Sequence, residues 1–225
     1  MKKAAVILCG SGHLDGSEIR ESVAVLWALN DAKIATEIFA PDIELVDVMD
    51  HVRREPVVSP SSPKRNALIE AARIARGKIA PINQLVPANF DGLFLPGGFG
   101  VAKNLCTFAA AGAKATVLPD IEKTIRAFHQ ATKPIGAVCI APALVALVLK
   151  DKKLELTLGE PGEASSEIEK LGHKHRTCSA HECITDHGNK VVTTPAYMYD
   201  DAELADVFRG VRALVQSAVQ LSTVH

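Results

Sequence analysis

Short runs of consecutive apolar residues alternate along the chain with longer segments whose apolar positions recur every three or four residues. The runs "AAVILC" (4–9), "IATEIFA" (34–40), "GLFL" (92–95), "PIGAVC" (134–139) and "KVVTT" (190–194) have the length of strands. Helices are expected over "SEIRESVAVLWALNDA" (17–32), over "KRNALIEAARIARG" (64–77) and from about Asp201 onward. In the first of these, Ile19, Val23, Leu26 and Trp27 fall at helical spacing and mark the face expected to be buried, while Glu18, Glu21 and Asp31 lie elsewhere. A strand apolar at successive positions is covered on both sides, which is what crossover helices do to a parallel sheet. The pattern therefore predicts an α/β fold, a doubly wound, mostly parallel sheet sandwiched by helices. Pro56 to Pro63, "PVVSPSSP", reads as a surface excursion, and the more polar, histidine-bearing stretch 150–190 as an αβ addition at a sheet edge.

With 225 residues and 48% apolar content there is enough chain for one core, and residues 1–225 are expected to form one domain. Basic residues number 25 and acidic residues 26, a net charge of −1, so no basic field asks for nucleic acid or an anionic membrane surface. The opening "MKKAAVILCGSG" is too short in its apolar part for a signal peptide, and no run approaches the roughly 20 apolar residues of a membrane span. Five scattered cysteines, at 9, 106, 139, 178 and 183, fit a reducing compartment, and a cytoplasmic location is expected.

Ligands of doubly wound folds sit beyond the carboxyl ends of the strands, which directs attention to three loops: "CGSGHLDGSE", "LPGGFGVAKN" and "AVCIAP". Around Cys139, alanines two before and two after permit a sharp strand-to-helix turn, and the following helix N-terminus would favour thiolate there. A buried structural thiol would give the same local pattern. Gly97 and Gly98 follow a strand and leave backbone N–H groups free to join that of Ile140 in an oxyanion hole, with Gly12 of the first loop beside them. Glu18 stands either as a helix cap with Asp15 or as a carboxyl reaching Cys139 to carry protons. His173, His175, Cys178, His181 and Cys183 crowd a short span, but their spacing matches no common zinc motif and no metal is expected. His13, Arg20 and Lys103 are candidates for lining a pocket or for solvated surface.

The set "GSGHLDGSEI", "LPGGFGVAKNL", "AVCIAP" and "VVTTPAYM" resembles the ElbB-type glyoxalase-like proteins of the class I glutamine amidotransferase-like superfamily, which includes PfpI proteins and the Parkinson-associated deglycase. The resemblance implies a flavodoxin-like sandwich, Cys139 as elbow nucleophile, Glu18 as the acid facing it and Gly98 as the oxyanion glycine. It also implies a cofactor-free enzyme acting on small 2-oxoaldehydes, and a homodimer. Ile140 stands where PfpI-like proteins carry a histidine, and "TTPAYMYDD" lacks the His and Glu of an amidotransferase triad, so glutamine hydrolysis loses its usual base. A cysteine redox sensor or a binding module remains the reading from another class.

Overall fold

The computed structural model describes residues 1–57 and 64–223; most of the "PVVSPSSP" excursion lies outside the described residues. In chain order the elements are β1 (Lys3–Ile7), α1 (Ile19–Asp31), β2 (Ala35–Ala40), β3 (Met49–Asp50), β4 (Glu55–Pro56), α2 (Ala67–Ile74), β5 (Ala80–Pro81), β6 (Gly92–Leu95), α3 (Phe108–Ala111) and α4 (Pro119–Gln130). There follow β7 (Ile135–Val138), α5 (Ala141–Val148), β8 (Glu155–Leu156), α6 (Glu163–Lys170), β9 (Lys174–His175), β10 (Ile184–Asp186), β11 (Val191–Thr194) and α7 (Leu204–Thr223).

Seven strands form the central sheet in the order β10-β11-β7-β6-β1-β2-β5, parallel throughout except for the edge pair β10–β11. The alternation along residues 4–9 shows why this run is apolar without a break. Ala5, Ile7 and Cys9 enter one core layer with Ile121, Ile125 and Phe128 of α4 and most of α5. Ala4, Val6 and Leu8 enter the other, against Val25 and Leu29 of α1 and Val211 and Leu214 of α7. Both faces are dry, so no polar side chain fits either parity of the strand. Chain order reverses direction at β1, with β2 on one side and β6 on the other, and this opens a crevice above their carboxyl ends.

Of the α1 face expected to be buried, only Leu26 packs against the core, partly covered. Ile19, Val23 and Trp27 are exposed, at 47, 45 and 41%, while Glu21, Ser22, Ala24, Val25, Ala28 and Leu29 are buried. The helix lies against α7 and the sheet, where Ser22, Ala24 and Ala28 allow close approach while Val25 and Leu29 fill the core layer. Trp27 is left to stack on Phe208 with ring centroids 5.6 Å apart. The polar stretch 150–190 holds the two-stranded β8–β9 ribbon with α6 between its strands. It is tied to the sheet edge by Glu155 N–H donating to Asp186 (3.0 Å) and Thr157 N–H donating to Thr193 Oγ1 (3.0 Å).

Candidate active site

Four strand ends meet over the crevice. At the end of β7, Cys139 takes φ +60°, a left-handed conformation that costs a non-glycine residue on the order of 1 kcal/mol and is held because the surrounding structure fixes it. The chain turns there from strand to helix. The Cys139 N–H donates to the Thr194 carbonyl at 2.9 Å, continuing the β7–β11 ladder, while α5 starts at Ala141 with Pro142 in its first turn. Ala137 and Ala141, both fully buried, supply the small flanks the turn needs. Cys139 itself is 8% exposed.

The acid beside this sulfur is Glu21. It is fully buried in α1, and both carboxyl oxygens are engaged by backbone. Gly97 N–H donates to Oε2 at 3.0 Å and Tyr197 N–H donates to Oε1 at 3.2 Å. The carboxyl also shares a hydrogen bond with the Cys139 thiol. Burial first, and the nearby Glu18 charge second, raise the Glu21 pKa to about 8. Burial and the Glu21 charge likewise push the Cys139 thiol up, against the pull of the Gly98 and Ile140 N–H groups directed at its sulfur. The expected thiolate at neutral pH is therefore corrected: the helix N-terminus is present, but desolvation outweighs it.

Glu18 is the N-cap of α1. Its Oε2 accepts the Glu21 N–H at 2.6 Å, and its backbone N–H donates to the Gly97 carbonyl at 2.9 Å. A carboxylate spent on its own helix end is not the partner of Cys139, and the expectation placed on Glu18 passes to Glu21, one turn further on. Glu18 still lines the cavity mouth.

The glycines divide in the same way. Gly97 is needed for closeness, since a Cβ there would stand 2.5 Å from Cys139 Cβ and 2.7 Å from Glu21 Oε2. Its N–H is committed to Glu21, so it is not a free oxyanion donor. Gly98, at φ +98° and with a Cβ position 2.4 Å from the Gly16 carbonyl oxygen, turns its N–H toward the sulfur. Gly98 and Ile140 are thus the two donors brought together at Cys139. Gly12 belongs elsewhere: a Cβ there would meet His51 Nε2 at 2.6 Å, so its role is to let the β3–β4 hairpin pack on the first loop.

Of the histidines, His13 lines the cavity, its pKa lowered by burial and then by His51. His173 is a core residue whose Nδ1 accepts from Leu154 N–H (3.0 Å) and whose Nε2 faces the Ala146 carbonyl (2.9 Å). Among the described residues no three His, Cys, Asp or Glu side chains are grouped to hold a metal ion, and no helix is long and apolar enough to cross a membrane. Arg20 donates to the Tyr197 hydroxyl at 3.1 Å, and Lys103 is tied to Asp47 at 2.8 Å and to the Leu14 carbonyl at 3.1 Å. The cavity above Cys139 has a volume of about 1400 Å³.

No family model matches the chain. Similar proteins do. A mitochondrial ES1 protein homologue of Rattus norvegicus and the mitochondrial glutamine amidotransferase-like class 1 domain-containing protein 3 of Homo sapiens are each 42% identical over 98% of this chain, covering 84 and 83% of their own lengths. A solved structure from Ehrlichia chaffeensis, described as an isoprenoid biosynthesis protein with an amidotransferase-like domain, shares 39% identity. It covers 98% of this chain and 99% of its own with a TM-score of 0.90. A DJ-1 superfamily protein from Agrobacterium tumefaciens shares the fold at 17% identity, with a TM-score of 0.52 over 98% of this chain and 87% of that one. The expected cytoplasmic location is overturned by the relatives, which match nearly the whole chain and are named as mitochondrial. Cysteine usage reports redox state and does not choose among reducing compartments. With such identity across nearly its full length, the chain belongs to the ES1 family of class I glutamine amidotransferase-like proteins.

Proposed function

We propose that the protein is a cofactor-free, glutathione-independent glyoxalase that converts 2-oxoaldehydes to 2-hydroxy acids through Cys139. The observation that carries the reading is the bracketing of one sulfur by a proton-holding carboxyl, Glu21, and by two converging N–H groups, Gly98 and Ile140. Ionised Glu21 takes the thiol proton as sulfur bonds to the aldehyde carbon. The carbonyl π pair moves to oxygen, where the two N–H groups stabilise the charge. The Glu21 proton passes to that oxygen and gives a hemithioacetal. The carboxylate then removes the proton from the former aldehyde carbon and returns it to the neighbouring carbon through an enediolate, so one carbon is oxidised as the other is reduced and no external electron acceptor is needed. Water cleaves the resulting thioester to the hydroxy acid and regenerates the thiol.

Burial supports this chemistry over peroxide sensing. A thiol held protonated and 8% exposed is a poor target for oxidants, which attack exposed thiolates. Ile140 directly after the cysteine, and a turn after β11 that offers Glu21 a backbone N–H from Tyr197, leave glutamine hydrolysis without an imidazole base. The test is turnover: purified protein should convert methylglyoxal to lactate, and Cys139→Ser should abolish it. Wild-type consumption no faster than that of the serine variant would remove the reading.

A further inference from the structure

The cavity is far larger than a three-carbon dicarbonyl requires. Pockets for drug-sized ligands run to about 300–1,000 Å³, and this one holds about 1400 Å³. Away from Cys139 its wall is built of α3, whose Ala109, Ala110 and Ala111 present methyl groups, with Ala164 of α6 facing the same space. Two large apolar side chains, Ile19 and Phe99, line it while remaining 47% exposed each. Most of the apolar side chains of that size among the described residues are covered, and these two line the same cavity as Cys139.

The charges exclude one class of occupant. Carboxylates of Glu18, Glu163, Glu167, Asp200 and Asp201 are set against Arg20, Arg54, Lys114 and the neutral-leaning His13. No net positive field is present to favour a phosphorylated or multiply anionic molecule. We infer that the substrate is a 2-oxoaldehyde with an extended, uncharged apolar body, its carbonyl at Cys139 and its tail along the alanine wall of α3 and against Phe99. The inference rests on Cys139 being the carbonyl-binding thiol proposed above.

Burying one methylene improves binding about fourfold, so three of the six carbons of a hexyl tail suffice for more than tenfold. The purified protein should therefore show a kcat/KM for 2-oxooctanal at least tenfold above that for methylglyoxal. Ala110→Leu, at an exposed position where folding is not in question, should bring the ratio down toward one. A wild-type ratio near or below one, or a ratio that Ala110→Leu leaves unchanged, overturns the inference and leaves the glyoxalase reading standing. If neither compound is turned over, the glyoxalase reading fails and occupancy decides the inference by itself. Octanal should then protect Cys139 from iodoacetamide, followed by peptide mass, at concentrations at least tenfold below acetaldehyde. Equal protection by the two aldehydes, or none, overturns it.

Discussion

A carboxyl buried as completely as that of Glu21 costs the fold stability. Its pKa is about 8 when folded, against an ordinary value of 4.5, so between these limits the folded state holds a proton that the unfolded chain has released. The stability tied to that proton is fully present below about pH 4.5 and is lost as pH rises through about 8, a loss on the order of a few kcal/mol for a fully buried group. Denaturant midpoints should fall between pH 7 and 9 in the wild type, above the range where burial of the His13, His173 and His175 imidazoles acts in the opposite sense, and stay nearly level there in Glu21→Leu; a flat wild-type profile over that range would show that the carboxyl is ionised throughout. Activity should move the opposite way. If ionised Glu21 is the base, kcat/KM for methylglyoxal rises about tenfold from pH 7 to a plateau above pH 9. Glu18 is separable from it, because its charge is the second cause of the raised value. Glu18→Gln should shift the midpoint of that profile to lower pH while weakening the cap of α1 by about 1 kcal/mol. An unmoved midpoint would mean the two carboxyls do not interact.

At the scale of elements, what the sequence made legible was whatever depends on unbroken apolar runs. Strands such as "AAVILC" and "GLFL" are forced, since both faces of each must be dry, and the elbow at Cys139 follows from the alanines around it. The orientation of α1 was not legible. Its large apolar residues Ile19, Val23 and Trp27 point outward, and its buried stripe runs through Glu21, Val25, Ala28 and Leu29, with an acid that pattern reading assigns to solvent. The available signal was that Val25, Ala28 and Leu29 stand four, seven and eight residues after Glu21, a second apolar stripe at helical spacing that carries Glu21 inside with it. Glu18 drew attention instead because its position is a cap, and a cap is what it is. Two-residue strands such as β8 and β9 carry no periodicity, so only their polar surroundings announced them. Close packing gives a prediction on α7 as well. Replacing a mid-helix glycine by alanine ordinarily gains about 1 kcal/mol, yet a Cβ on Gly210 would stand 2.2 Å from the Ala180 carbonyl oxygen. Gly210→Ala should therefore lower the thermal midpoint, and a rise would show that the loop around Ala180 yields easily.

Across the whole molecule the five thiols sample five depths, and they turn solvent access into a measurement. Cys9 and Cys106 are 0 and 3% exposed, and burial raises the pKa of Cys106 to about 11 and that of Cys9 further. Cys178 and Cys183 are only partly covered, while Cys139 sits at the floor of the cavity. Timed iodoacetamide labelling read by peptide mass should mark Cys178 and Cys183 first. Cys139 should follow, gaining rate as pH rises and Glu21 becomes able to accept its proton. Cys9 is reached last, because it lies just past the end of the interior strand β1, fully buried in the core layer beneath α4 and α5, which opens only when the sheet does. Its labelling rate then reports global opening and should rise with denaturant in step with loss of structure. Labelling of Cys9 at the rate of Cys178 in buffer alone would mean that the β1–β6 crevice opens without unfolding. The dry, precisely spaced environment argued for the Glu21 and Cys139 pair would then fail with it, since both depend on the same strand ends staying closed.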